Sequence, residues 1–149
     1  MSDPETFDFI LDAWALLAHF GNEIGAKRVR EVLRSAEENE CKAGISIINL
    51  GEVAYITERE RGLAKVHEVL GVIRSLPVSV LPVGERIVMM AAHIKANHRL
   101  SYADAFAAAT ARLTGGKLLT GDPELKKLDG AEIKVEWLSD SAIQPSGAI

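Results

Sequence analysis

The chain has 149 residues, a single cysteine and a net charge of −4 at neutral pH. That length suits one domain, able to bury roughly 68–70% of the surface its unfolded chain exposes, and the lone Cys41 excludes an internal disulfide. The acidic balance excludes broad electrostatic holding of nucleic acid, so any nucleic-acid chemistry must come from a local site.

The start, MSDPETFDF, lacks the basic-then-apolar plan of a secretion signal. No apolar run approaches the roughly 18 residues of a membrane span. With the single cysteine, these features lead us to expect a cytoplasmic protein. Residues 7–11 (FDFIL) then predict a first strand, and 25–40 a helix with Val29, Val32, Leu33 and Ala36 on one face. AGISII (43–48) predicts a second strand. Residues 49–61 and 62–76 predict a helical hairpin broken near Gly62. VSVLPV (78–83) is a third strand, followed by a helix over 85–99 and another in SYADAFAAATA (101–111). KLLT (117–120) and IKVEWL (133–138) complete the strands. The small, polar residues 139–149 are expected to be a mobile tail beyond one domain spanning 1–138.

Strands alternating with helices indicate an α/β domain with a mainly parallel sheet and helices on both faces. In such a sheet ligands bind at the carboxyl edge, where strands end and helices begin. Four acids fall at those positions: Asp12 in FILDAW, Glu52 in NLGE, Asp104 in SYAD and Asp122 in GDPE. Three have a plain structural role available. Ser101 would cap a helix with Asp104 reaching back, Asn49 would do so with Glu52, and Asp122 before Pro123 is itself a good cap. Asp12 has no such role, and at the end of an apolar strand it is an awkward charge.

Magnitudes decide between capping and chemistry. A cap contributes ~0.5–2 kcal/mol, whereas two like charges about 5 Å apart repel by roughly 3 kcal/mol at an effective dielectric of 20. Several such pairs at one rim are not explained by capping, but a divalent cation explains them. Hard oxygen donors suit Mg²⁺ or Mn²⁺. His19, His67, His93 and His98 offer no ligand pairing and read as surface or packing residues. An open carboxylate–Mg²⁺ site suits phosphodiester hydrolysis, with carboxylates orienting a water or taking its proton.

ILDAWALLA, SIINLGEVAY, LSYADAFAAATA and LLTGDPELKKL, in that order, resemble the PIN-domain ribonucleases, and closely the VapC-type toxins of VapBC toxin–antitoxin pairs. The resemblance runs from about residue 9 to 138. It implies a three-layer α/β/α PIN-like domain and a Mg²⁺-dependent endoribonuclease toxin acting on RNA. Asp12, Glu52, Asp104 and Asp122 would be catalytic, with Asp12, Asp104 and Asp122 on the metal. Asn49, Ser101 and Thr120 match supporting positions. The resemblance further implies a homodimer and a VapB-like antitoxin whose tail crosses the active-site groove. On this reading an antitoxin Arg or Lys enters the acidic pocket, and Val53, Ile56, Val66 and Val69 partly form the groove or the dimer contact. Many relatives carry Ser or Thr two residues after the first acid, where this chain has Trp14. Two readings of Trp14 stay open: packing beneath the site, which we favour, and a surface on which a base stacks.

Two other acid-bearing folds fit poorly. A receiver domain needs an Asp after the third strand and a Lys after the fifth, and VLPVGER and VEWLSDS supply neither. A haloacid-dehalogenase-like phosphatase wants Asp-x-Asp after the first strand, and DAW matches only half of it. The remaining alternative is a PIN-fold scaffold that binds partners without catalysis.

Overall fold

Two-residue alternation along the first predicted strand sends Ile10 to one hydrophobic core and Leu11 to another. The fourth strand repeats this with Leu118 and Leu119. A sheet buried on both faces follows from that pattern. The computed structural model describes residues 5–138, so the expected tail lies outside the described residues.

In chain order the elements are β1 (Phe9–Leu11), α1 (Ala13–Gly21), α2 (Ala26–Glu37), β2 (Ala43–Ser46), α3 (Ile47–Arg61) and α4 (Leu63–Ser75). There follow β3 (Ser79–Leu81), α5 (Glu85–Asn97), α6 (Tyr102–Thr114), β4 (Lys117–Thr120), α7 (Pro123–Lys126) and β5 (Val135–Trp137). The strands form one sheet in the order β3-β2-β1-β4-β5. Every pairing is parallel. β1 is central, pairing Leu11 with Ile45 on one side and Leu119 on the other. The ends of β1, β2 and β4 therefore lie side by side.

Val29, Val32, Leu33 and Ala36 of α2 pack with residues of α1, α3 and α4 in the core that takes Leu11. On the opposite face α5 and α6 enclose Ile10 and Leu118. This is the expected three-layer α/β/α arrangement. α6 is buried along nearly its whole length, from Asp104 through Ala111. Its alanines let it lie close to the sheet, and the hydroxyls of Thr110 and Thr114 donate back to the carbonyls of Phe106 and Thr110.

Three local expectations need correction. α1 was not anticipated, because AWALLAHF is too uniformly apolar to show a helical period beside an apolar strand. Its N-cap is Asp12, whose Oδ1 accepts from the Ala15 amide at 2.9 Å; the acid thought to lack a structural role has one. α3 begins at Ile47 under the cap of Ser46, so Asn49 is a buried helical residue and not the cap. The hairpin does break at Gly62, whose φ of 91° favours glycine.

Candidate active site

Each acid reaches the rim by its own local logic. Asp12 follows β1 and is only 2% exposed. Besides capping α1 with Oδ1, it accepts a hydrogen bond at Oδ2 from the Thr120 hydroxyl at the end of β4. Thr120 in turn accepts from the Asp122 amide at 3.0 Å, and Asp122 Oδ1 caps α7 through the Glu124 amide at 2.9 Å. Ser101 caps α6 by accepting from the Asp104 amide at 3.1 Å, which places Asp104 in the first turn. Asn49 donates to Glu52 Oε1 at 2.8 Å and to the Ala103 carbonyl at 3.1 Å, so one buried amide joins α3 to the start of α6.

These links bring the four acids into one electrostatic unit. Asp12 feels the charges of Asp122 and Glu52; Asp104 feels those of Asp122, Asp12 and Glu52; and Glu52 feels that of Asp122. Asp122 thus acts on all three of the others, Glu52 on Asp12 and Asp104, and Asp12 on Asp104. Burial pushes Asp12 up to about 7, in spite of the bonds from Thr120 and Ala15, and its acidic neighbours push the same way. Burial likewise pushes Asp104 up to about 8, helped by the charge of Asp122 and by a hydrogen bond shared with that carboxyl. Glu52 is raised by burial, opposed by the Asn49 amide.

The donor set is oxygen throughout, which fits a hard divalent cation. Two further observations agree. Burial and the charge of Asp122 push the Asp104 carboxyl toward its protonated form, and a cation can replace that proton. Oδ1 of Asn49 is buried with no partner, leaving an acceptor unsatisfied beside Glu52. Among the described residues no three His, Cys, Asp or Glu side chains stand close enough to enclose an ion by themselves. An ion held here would take one or two of these carboxylates and keep several waters, as Mg²⁺ commonly does. His67 and His93 are exposed and His98 pairs with Glu132. His19 is half-buried, its proton affinity lowered by burial and by Arg30.

A family model described as "PIN domain" matches residues 9–131. The chain belongs to the PIN-domain family. Comparison with curated proteins gives no match. Among solved structures, this PIN domain is similar to a chain of DNA-bound VapBC from Salmonella typhimurium, at 16% identity and a TM-score of 0.69, covering 89% of this chain and 99% of that one. It is also similar to Mycobacterium tuberculosis VapC20, named a sarcin–ricin loop cleaving toxin, at 17% identity and a TM-score of 0.65, covering 85% and 98%. VapBC-1 from nontypeable Haemophilus influenzae matches at 16% identity and a TM-score of 0.66, covering 88% and 98%. At these identities the likeness is one of fold.

A separate groove of about 400 Å³ opens between α1 and the α3–α4 hairpin of the PIN domain. Trp14, Leu17, Phe20, Ile56, Val69 and Val72 contribute to its lining, and none of the four acids does. Val53 and Val66, expected at a groove or dimer contact, are instead buried in the domain, because they occupy the inward faces of their helices. Trp14 is partly buried and packs against the core that α1 and α2 share. Sequence reasoning missed Ser46 as the cap of α3. Its signal was a serine followed by an apolar helix, hidden because SII also continues the strand.

Proposed function

We propose that this PIN domain is a metal-dependent endoribonuclease, the toxin of a VapBC-type toxin–antitoxin pair. The observation that carries the proposal is the gathering of four carboxylates at the carboxyl edge, where Asp12 and Asp104 are pushed toward neutrality by burial and by the charges of neighbouring acids. Family membership and the fold shared with VapC20 support it. One or two carboxylates from the set Asp12, Asp104 and Asp122 would hold Mg²⁺ or Mn²⁺, with water filling the other positions. Such an ion, when bound, supplies charge neutralisation for a phosphodiester and a more acidic water.

The remaining work belongs to the chain's own side chains. Thr120 fixes the orientation of the Asp12 carboxylate by donating to Oδ2. Ser101 sets the first turn of α6 and hence the height of Asp104. Asn49 holds Glu52 through Oε1, which leaves Oε2 to take a proton from an attacking water. Glu52 is suited to this, since burial raises its affinity for a proton. Asp122 is tied to its own helix through Oδ1, so Oδ2 is the atom free of the cap.

RNA is the proposed substrate, a homodimer in the cytoplasm the proposed form, and a VapB-like antitoxin the proposed partner. A cluster of carboxylates attracts Arg or Lys as well as a metal. An antitoxin that inhibits by inserting such a side chain loses inhibition, within an intact complex, when that residue is replaced; inhibition that persists in full counts against this contact.

The test of the enzyme is direct. Purified protein should cleave RNA in Mg²⁺ and stop in chelator. Asp104→Asn and Asp122→Asn should each lower cleavage by ~10²-fold or more. Asn caps a helix about as well as Asp, so Asp122→Asn should stay within roughly 1 kcal/mol of the parent in stability. If both variants cleave like the parent, these acids are caps and the chain is a binding scaffold.

A further inference from the structure

Gly121 stands between Thr120, which donates to Asp12, and Asp122, which caps α7 by accepting from the Glu124 amide. Its backbone does not need glycine, since its φ lies outside the left-handed region. What excludes a side chain is the indole of Trp14. A Cβ placed on Gly121 would lie less than 3.0 Å from Cζ2, Cη2 and Cε2 of that ring, so the six-membered ring lies across the glycine. The far edge of the same ring reaches Gly25, where an added Cβ would meet Cζ3 at 3.1 Å. Gly25 heads α2, and Trp14 sits in the first turn of α1 beside the Asp12 cap. One rigid ring therefore touches three places: the start of the helix that Asp12 caps, the turn that carries Thr120 and Asp122, and the start of α2.

We infer that Trp14 is a positioning residue, and that its indole, seated on Gly121, fixes the turn carrying Thr120 and Asp122 against Asp12 and so sets the spacing of the carboxylates. Trp14 and Gly121 are then a matched pair. A larger residue at 121 cannot coexist with the indole, whereas a smaller residue at 14 leaves room for it. The effect on cleavage rests on the nuclease reading; the pairing itself does not. Simple core packing would make Trp14 matter for stability alone. Positioning makes it matter for ion binding and turnover at unchanged substrate affinity.

The experiment is a double-variant cycle with Trp14→Ala, Gly121→Ala and both together, and Trp14→Phe as the conservative control. Three quantities are read: Mn²⁺ affinity by calorimetry, kcat and KM on an RNA oligonucleotide, and melting temperature in chelator. Gly121→Ala should weaken Mn²⁺ binding about 10–100-fold and lower kcat by about 10²-fold with KM unchanged. Adding Trp14→Ala to it should restore part of both, so that the double variant binds Mn²⁺ more tightly than Gly121→Ala alone. Trp14→Phe should keep Mn²⁺ affinity nearer the parent than Trp14→Ala does. Losses that simply add in the double variant, or a Gly121→Ala protein with parental Mn²⁺ affinity, overturn the inference. If the parent neither binds Mn²⁺ nor cleaves RNA, the nuclease reading fails separately. The pairing is then decided by melting temperature: recovery in the double variant upholds it and additive loss ends it.

Discussion

Two groups of partly or fully buried carboxylates in this molecule are treated in opposite ways. Away from the sheet edge, Glu132 is 14% exposed and receives the guanidinium of Arg112 and the imidazole of His98 at 2.9 Å. Glu136 on β5 is likewise held by Arg28 at 2.5 and 3.1 Å, tying the edge strand to α2. At the carboxyl edge, Asp12 and Asp104 are more deeply buried than Glu132, and the charges acting on them are those of other acids. A carboxylate that serves the fold meets a cation inside the chain. The edge carboxylates meet one another, a destabilising arrangement unless a cation comes from outside.

The contrast can be broken most forcefully with pH. Asp12 and Asp104 have folded values near 7 and 8, against an unfolded value near 3.8. For such raised acids the unfolded chain binds fewer protons at intermediate pH, so stability is full below the unfolded value and is lost as pH rises through the folded one. The metal-free protein should therefore lose melting temperature steadily from about pH 5 to about pH 8. Asp12→Asn with Asp104→Asn should flatten that slope and raise melting at pH 8. A parent whose melting temperature is level over this range contradicts the buried, crowded acids.

Adding the ion is the next test. Mn²⁺ or Mg²⁺ at ~100 times its dissociation constant should stabilise the fold by about 2.7 kcal/mol. The gain should grow with pH as the acids lose their protons, and it should vanish in the double Asn variant. A double variant that responds to metal like the parent removes the cluster as the binding site.

The smallest effect sharpens the other side of the comparison. Glu132→Gln should cost about 1 kcal/mol, since a charge-assisted bond is worth more than a neutral one but Arg112 is partly exposed and screened. Cleavage should not change. Neutralising an acid should thus stabilise the metal-free protein at the edge and destabilise it at Glu132. A gain in melting temperature for Glu132→Gln would erase the distinction.

The edge was readable in the sequence where helix starts carry ordinary signals. Ser101 before Asp104, and Asp122 before Pro123, mark helix N-termini by residue chemistry alone, and parallel topology places both at one rim. Short apolar runs such as KLLT gave the strands because burial on two faces demands them. The errors fall where apolar sequence is continuous. ILDAWALLAHF hides a strand, a cap and a helix behind one hydrophobic stretch, and SIINL hides the start of α3 two residues before Asn49. The contact between Trp14 and Gly121 left no trace in the sequence. Nothing in DAW or TGD says that one ring will lie on the other's backbone, because that depends on how β1 and β4 are paired.

α6 limits how this chain can vary. Ala105, Ala107, Ala108, Ala109 and Ala111 are at most 1% exposed, so every one of these methyl groups touches protein. An added methylene at any of them costs ~1–3 kcal/mol in overpacking and tilts the helix whose first turn carries Asp104. Drift along this segment is therefore punished twice, through folding and through the rim. In a saturation screen, α6 should emerge as the least permissive stretch of the molecule, although most of its residues never approach a substrate.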